Sequence, residues 1–310
     1  MFVSTIAVNP RPTPSAAGLL LATIGAIAFS GKAIIVKLAY RHGVDAVTLI
    51  MLRMLFALPF FLLLAWWAGR ERGGVRPAAL TRRDWLGVLG LGFTGYYLSS
   101  FLDFAGLAYI SASLERLILY LNPTLVLLLG WLIYRRMVLR GQLVGMAISY
   151  GGVVLVFGRE LHGAGGAAVW GAALVFASAL SYAVYLLYSG QLVRRLGSLR
   201  LVGLASTVAC LCCLLQFALL RPLDSVLAVA PAVLWLSLLN ATACTVVPVL
   251  LVMMAVERIG PALTAQSGMI GPVSTILLGV LLLDEPFTAW LAAGTVLVIA
   301  GILVFTRAKA

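Results

Sequence analysis

The sequence predicts an all-α integral membrane protein, with ten transmembrane helices in two inverted five-helix repeats around a central cavity. Three observations lead there. Hydrophobic residues make up 63% of the 310 and charged residues 10%, with a mean hydropathy of +1.09. That is more apolar surface than one water-soluble core can cover. Apolar runs long enough to cross hydrocarbon, roughly 17 to 25 residues each, can be drawn ten times. Finally, two stretches align without a gap at an offset of 149 residues: Pro123 falls on Pro272, Gly130 on Gly279, Gly145 on Gly294 and Gly152 on Gly301. A closed β-barrel would need short segments of alternating polarity, and the sequence has none.

The elements follow in order. Residues 1–15, with Pro10, Pro12 and Pro14, read as a flexible cytoplasmic tail. The first repeat, residues 16–158, contains spans at Ala16–Ala39, Ala46–Ala68, Trp85–Leu107, Ala112–Tyr134 and Gly141–Phe157. The second, residues 167–310, contains Ala167–Tyr188, Leu201–Leu220, Pro231–Val256, Pro261–Leu283 and Phe287–Phe305. Short links leave no room for a soluble domain. The first apolar run is long and holds Lys32 and Lys37, so it is expected to stay in the mature protein rather than be cleaved as a signal.

The net charge of +12 is explained by where the basic residues lie. With both termini in the cytoplasm, Arg11, Arg70, Arg72, Arg76, Arg82, Arg83, Arg135, Arg136, Arg140, Arg194, Arg195, Arg200, Arg258, Arg307 and Lys309 are all inside. These are fifteen of the 22 Lys and Arg residues. Only Arg41, Arg159 and Arg221 fall in external loops. This bias sets the orientation and removes any need for a nucleic-acid partner, for no basic stripe interleaves with exposed aromatics. A five-helix repeat has an odd number of crossings, so the second copy enters from the opposite face. The swap of Arg135 and Arg136 for Asp284 and Glu285 at matched positions is the same bias acting on antiparallel copies.

The inventory argues against an enzyme. The two histidines, His42 and His162, lie in predicted external loops. No serine has an adjacent base, and no metal-ligand cluster appears. Cys210, Cys212, Cys213 and Cys244 sit within spans without metal-ligand spacing and read as packing residues. No glycine-rich phosphate cradle is present, so neither ATP nor any other cofactor or metal is expected.

Ionisable side chains within hydrocarbon cost about 2.5 to 3.5 kcal/mol on insertion scales, which makes them functional candidates. They cluster in the outer half: Lys32 and Lys37 in the first helix, Arg53 in the second, Asp103 in the third, Glu115 and Arg116 in the fourth. Lys37 and Arg116 are near enough to span ends to reach the interface. Lys32 is deepest and is expected to line the cavity. Arg53 and Glu115 are candidate structural or coupling charges, a structural bridge from Arg53 to Asp103 or Glu115 being one of two readings of Arg53. Simple pairing leaves a positive excess suited to a substrate carboxylate. Tyr96, Ser100 and Asp103 follow i, i+4, i+7 spacing, as do Ser178, Tyr182 and Tyr185. With Trp235 and Thr242 these would wall a cavity for an apolar side chain, although such stripes also simply bond helix to helix. Pro123 and Pro272 should break their helices and are candidate hinges for alternating access, or static kinks that shape the cavity.

On these residues the chain resembles the EamA family of the drug/metabolite transporter superfamily. Leu52, Arg53 and Met54 in the second helix, Leu121, Asn122 and Pro123, Gly271 and Pro272, and the glycines of the fifth and tenth helices carry the resemblance, which covers nearly the whole chain. It implies a secondary transporter of small metabolites in a bacterial-type cytoplasmic membrane. Within the family the chain looks most like the YddG-type amino acid exporters, chiefly of aromatic ones. Transport of other drug-like or metabolite substrates, or a facilitative channel, are the alternatives. The family often has a Glu where the fourth helix ends; the second repeat keeps it as Glu285, whereas Arg136 stands in the first.

Overall fold

The computed structural model describes residues 16–70, 79–135 and 138–307, and the expected tail at 1–15 lies outside them. The described residues are helical, without strands. The helices are α1 (Ala16–Tyr40), α2 (Ala46–Ala68), α3 (Arg82–Leu91), α4 (Ser99–Leu107), α5 (Ala112–Leu119), α6 (Asn122–Tyr134) and α7 (Arg140–Ala164). They continue as α8 (Gly166–Leu196), α9 (Ser198–Leu220), α10 (Pro231–Ala241), α11 (Val247–Ser267), α12 (Gly271–Leu283) and α13 (Ala289–Arg307). A π-helical stretch at Gly92–Leu98 joins α3 to α4, and another at Thr242–Val246 joins α10 to α11.

Eight helical segments among the described residues are long and apolar enough to cross a bilayer: Ala16–Tyr40, Ala46–Ala68, Ala112–Tyr134, Arg140–Leu161, Gly166–Gly190, Ser198–Leu220, Pro231–Ala255 and Ala289–Arg307. Two of the ten expected spans fall outside this set, each for a physical reason. The third carries Thr94, Tyr96, Tyr97, Ser99, Ser100 and Asp103, which lower its hydropathy. The ninth is interrupted. Its expected start at Pro261 lies within α11, which runs unbroken to Ser267, and the break falls at Gly268–Ile270, leaving α12 as a short apolar helix.

Irregularities recur 149 residues apart. The two π-helical stretches occupy matched positions. Likewise α6 and α12 both begin just before a proline, at Asn122 and Gly271, after a break in the preceding helix. Both end on a left-handed residue: Arg135 (φ 52°) donates its N–H to the Gly130 carbonyl, and Asp284 (φ 60°) to the Gly279 carbonyl. Among the described residues these are the non-glycine positions with positive φ, a conformation that needs surrounding structure to hold it.

Packing pairs one segment with the other. The strongest contacts are α7 with α13, α2 with α9, α1 with α11 and α4 with α8, followed by α1 with α12 and α6 with α8. At the α7–α13 crossing, Gly145 lies against Gly301 and Gly152 against Gly294; a Cβ at Gly301 would stand 2.6 Å from the Gly145 carbonyl oxygen. Helices in lipid gain little from the hydrophobic effect and rely on such close approach for dispersion contacts. Ser149 adds a bond of 3.4 Å to the Val298 carbonyl in the same seam.

Candidate functional site

Lys32, Asp103 and Glu115 meet where α1, α4 and α5 converge. The Lys32 ammonium donates to Asp103 Oδ2 at 2.6 Å and stands 3.9 Å from Glu115 Oε1. Glu115 is fully buried and Asp103 nearly so, while the Lys32 side chain keeps 19% exposure. The three thus form a buried ionic trio with one edge open. Asp103 uses one oxygen on Lys32, and its Oδ1 has no protein partner. Neither oxygen of Glu115 receives a protein N–H or hydroxyl donor, and its carboxyl faces that of Asp103 within hydrogen-bonding reach.

The two arginines are occupied otherwise. Arg53 forms no ion pair with Asp103 or Glu115, the bridge that is one reading of it; Lys32 is the cation that meets Asp103. The Arg53 guanidinium instead lies over the Phe104 ring, 4.5 Å from the centroid, fully within the protein. A cation over an aromatic face keeps part of its solvation there. Arg116 turns inward rather than to the membrane surface: Nε donates to Thr275 Oγ1 at 2.8 Å and Nη2 to the Phe29 carbonyl at 3.1 Å. It therefore ties α5 to α12. Ser30 donates to the Gly271 carbonyl at 3.0 Å, and Tyr120 reaches the Gly268 carbonyl, so both broken helices are stitched to their neighbours beside the trio.

The tyrosine stripe is divided. Tyr96 lies within the π-helical stretch, whose wider turn rotates it away from the face that Asp103 occupies below. Asp103 faces α1, whereas the Tyr96 hydroxyl is 3.1 Å from that of Tyr185 on α8, and their rings meet edge to face. Tyr182 stacks on Tyr185 with centroids 5.3 Å apart. These rings pack among Val88, Leu91, Leu196 and Leu201. Ser178 and Ser181 donate to the Ser99 and Thr94 carbonyls at 2.7 and 2.8 Å, serving acceptors at the irregular turn. Ser99, not the half-buried Ser100, is the serine that meets Ser178.

Trp235 does not face the interior. Its side chain is 71% exposed, opposite the face of α10 that buries Val233, Ser237 and Asn240. Thr242 turns its hydroxyl back to the Leu238 carbonyl of its own helix at 2.8 Å. Pro123 is exposed and Pro272 buried, both in the first turn of their helices, where a missing N–H costs little.

A second cluster closes the end of the molecule beyond the trio. The Glu285 carboxylate accepts from the Ala112 and Ser113 amides at 2.7 and 3.3 Å and from Ser113 Oγ at 2.6 Å. Glu160 accepts from the Ser111 amide at 3.1 Å and from its hydroxyl. Two carboxylates thus satisfy the unpaired amides at the start of α5. Arg41 donates to the Leu283 carbonyl at 2.8 Å and lies 3.8 Å from Asp284. A vestibule of about 570 Å³ opens here, lined among others by Lys37, Tyr40, Arg41, Tyr109 and Asp284. Sequence reasoning singled out Glu285 but not its partners. Ser111, a helix-capping residue just before the apolar run, was the available signal for Glu160 and Glu285.

Eight apolar helical segments long enough to cross a bilayer, among the described residues, mark a multi-pass membrane protein. Comparison with known proteins gives the family. The EamA-like transporter family matches residues 16–158 and 169–307, and the chain belongs to it. It is 30% identical over 277 residues to the uncharacterized transporter YcbK of Bacillus subtilis (strain 168), covering 87% of this chain and 86% of that protein. It is 26% identical over 232 residues to the uncharacterized transporter YetK of the same organism, covering 73% and 69%. A solved crystal structure, 19% identical, superposes with a TM-score of 0.62 over 96% of this chain and all of that one, which supports the fold. Neither relative's description states a substrate.

Proposed function

We propose that the protein is a secondary transporter of the cytoplasmic membrane that exports amino acids, aromatic ones favoured, by alternating access. The observation that carries this reading is the trio of Lys32, Asp103 and Glu115, buried beside two broken helices and open only at the lysine. Charges are placed at such depth when a polar solute or ion must pass. Preference for aromatic side chains comes from the family resemblance, and the rest of the cavity is assigned to the surfaces facing Lys32.

Ten spans in two inverted repeats are part of the proposal. Exchange each helix for its counterpart 149 residues away and the strongest helix pairings map onto one another: α7–α13 and α2–α9 return to themselves, α1–α11 exchanges with α4–α8, and α1–α12 with α6–α8. Pseudo-two-fold pairing of this kind supports rocking of one repeat against the other. The basic ends then face the cytoplasm, and the Glu285 cluster faces outward. Pro123 and Pro272 act as hinges in this scheme, with Arg53 and Glu115 holding charges in place.

Reconstituted protein should move labelled amino acids with saturable flux and trans-stimulation. Flux that rises linearly with concentration and carries current would instead identify a channel. An imposed pH gradient that leaves the flux unchanged would identify a facilitator.

A further inference from the structure

The buried charges of this site are not left in the balance that simple counting gives. Three cations, Lys32, Arg53 and Arg116, lie near two carboxylates, Asp103 and Glu115, which suggests a receptor for a substrate carboxylate. The contacts point the other way. Arg116 is engaged by Thr275 and the Phe29 carbonyl, Arg53 lies over Phe104, and Lys32 is held by Asp103 at 2.6 Å. What lacks a protein partner among these five residues is mainly acceptor capacity, Asp103 Oδ1 and both oxygens of a completely buried Glu115, against one donor, Nε of the Arg53 guanidinium that lies over Phe104. At 3.9 Å the Lys32 ammonium is too far to donate to Glu115.

Buried acceptors without donors are costly, more so when charged. The chemical group that satisfies three such oxygens at once is a compact cation with several N–H donors. We infer that Glu115, together with Asp103 Oδ1, is the receptor for a substrate's ammonium group, entering along the exposed edge of Lys32. This rests on the amino-acid reading and deepens it by assigning the two ends of the substrate. A bare amine fills this subsite alone, whereas an α-amino acid also brings a carboxylate that the exposed edge of the Lys32 ammonium can meet. The site therefore selects zwitterions over simple amines, and both over molecules with no ammonium.

The test uses the full chain, purified and reconstituted in lipid nanodiscs, with four probes: L-phenylalanine, 2-phenylethylamine, N-acetyl-L-phenylalanine and 3-phenylpropionate. Calorimetric binding should be tightest for phenylalanine, weaker for phenylethylamine and weakest for the two probes without an ammonium. Glu115→Gln, nearly equal in shape, should weaken the two amine-bearing probes by about tenfold or more, the size of a lost charge-assisted bond, and leave the other two unchanged. Should that variant not fold, Glu115→Asp, which withdraws the carboxylate by one methylene, should weaken the same two probes selectively. Equal weakening of all four probes, or no binding of either amine-bearing probe to the wild type, overturns the proposal. Tight binding of phenylpropionate with none of phenylethylamine overturns it as well, and amino-acid flux seen alongside that result would leave the export reading standing. Ammonium-selective binding without any flux would keep the receptor and retire the export reading.

Discussion

Glu285, in the link between α12 and α13, caps α5 through Ala112 and Ser113, so a loop of one segment closes the helix start of the other. The bond crosses the boundary along which the two halves would part. Charge-assisted bonds of this kind contribute about 1.5 to 3 kcal/mol each, enough to bias a conformational equilibrium roughly tenfold or more. Glu285→Ala is expected to loosen this end. A cysteine placed at Ile110, buried in the wild type, should react faster with an impermeant maleimide in a background without the native cysteines. An unchanged labelling rate would show that the cap does not hold the closure.

The trio makes a separate prediction about stability. Removing one member of a buried ion pair leaves an uncompensated charge and costs about 3 to 5 kcal/mol, whereas removing both is far milder. Lys32→Ala should therefore lower the thermal midpoint and abolish flux. The Lys32→Ala, Asp103→Asn double variant should regain much of the stability but none of the flux. Recovery of both together would reduce the pair to a structural role.

Close approach of α7 and α13 has a steric consequence. A Cβ at Gly301 would lie 2.3 Å from Ser149 Oγ and 2.6 Å from the Gly145 carbonyl oxygen. Gly301→Val should force the helices apart and destabilise the protein by about 1 to 3 kcal/mol. Gly151→Ala on the facing helix α7, where an added Cβ meets nothing within 4 Å, is the control and should unfold with the wild type in detergent.

Asp45 supplies a pH dependence. It caps α2 through the Val47 and Thr48 amides and receives Arg221 from the end of α9 at 3.2 Å. Partial burial pushes its carboxyl up, but bonds from Thr48 and Arg221 outweigh this and hold it below the ordinary carboxylate value. A group with a lowered folded-state pKa stabilises the fold above its ordinary value, and the contribution is lost as pH falls through the folded value. The thermal midpoint of the wild type should thus fall more steeply below about pH 4 than that of Asp45→Asn. Because the group is partly exposed, solvent screening limits the difference to less than about 1 kcal/mol. Parallel curves would refute the linkage.

What was legible in the sequence was whatever depends on composition and register. Apolar runs gave most helices to within a few residues, and the shared offset located both breaks, because Pro123 and Pro272 mark them directly. Lys32, Asp103 and Glu115 stood out by charge in an apolar setting. Their partners did not, since pairing depends on which side chain reaches first: Lys32, not Arg53, holds Asp103. Helical spacing misplaced Tyr96 because it presumes a constant turn, and the π-helical stretch adds a residue within it. Trp235 was misread for a different reason: in a bilayer an aromatic side chain is as much at home against lipid as within the protein, so its type says little about its direction.

Those π-helical stretches also set the bearing of the helices that follow them. A π turn in an otherwise regular helix accommodates one extra residue, and Gly92–Leu98 and Thr242–Val246 hold theirs at the same place in each half. Beyond each stretch the side chains are turned by about 100° from where an unbroken α-helix would carry them, so α4 and α11 present other faces than the registers of α3 and α10 predict.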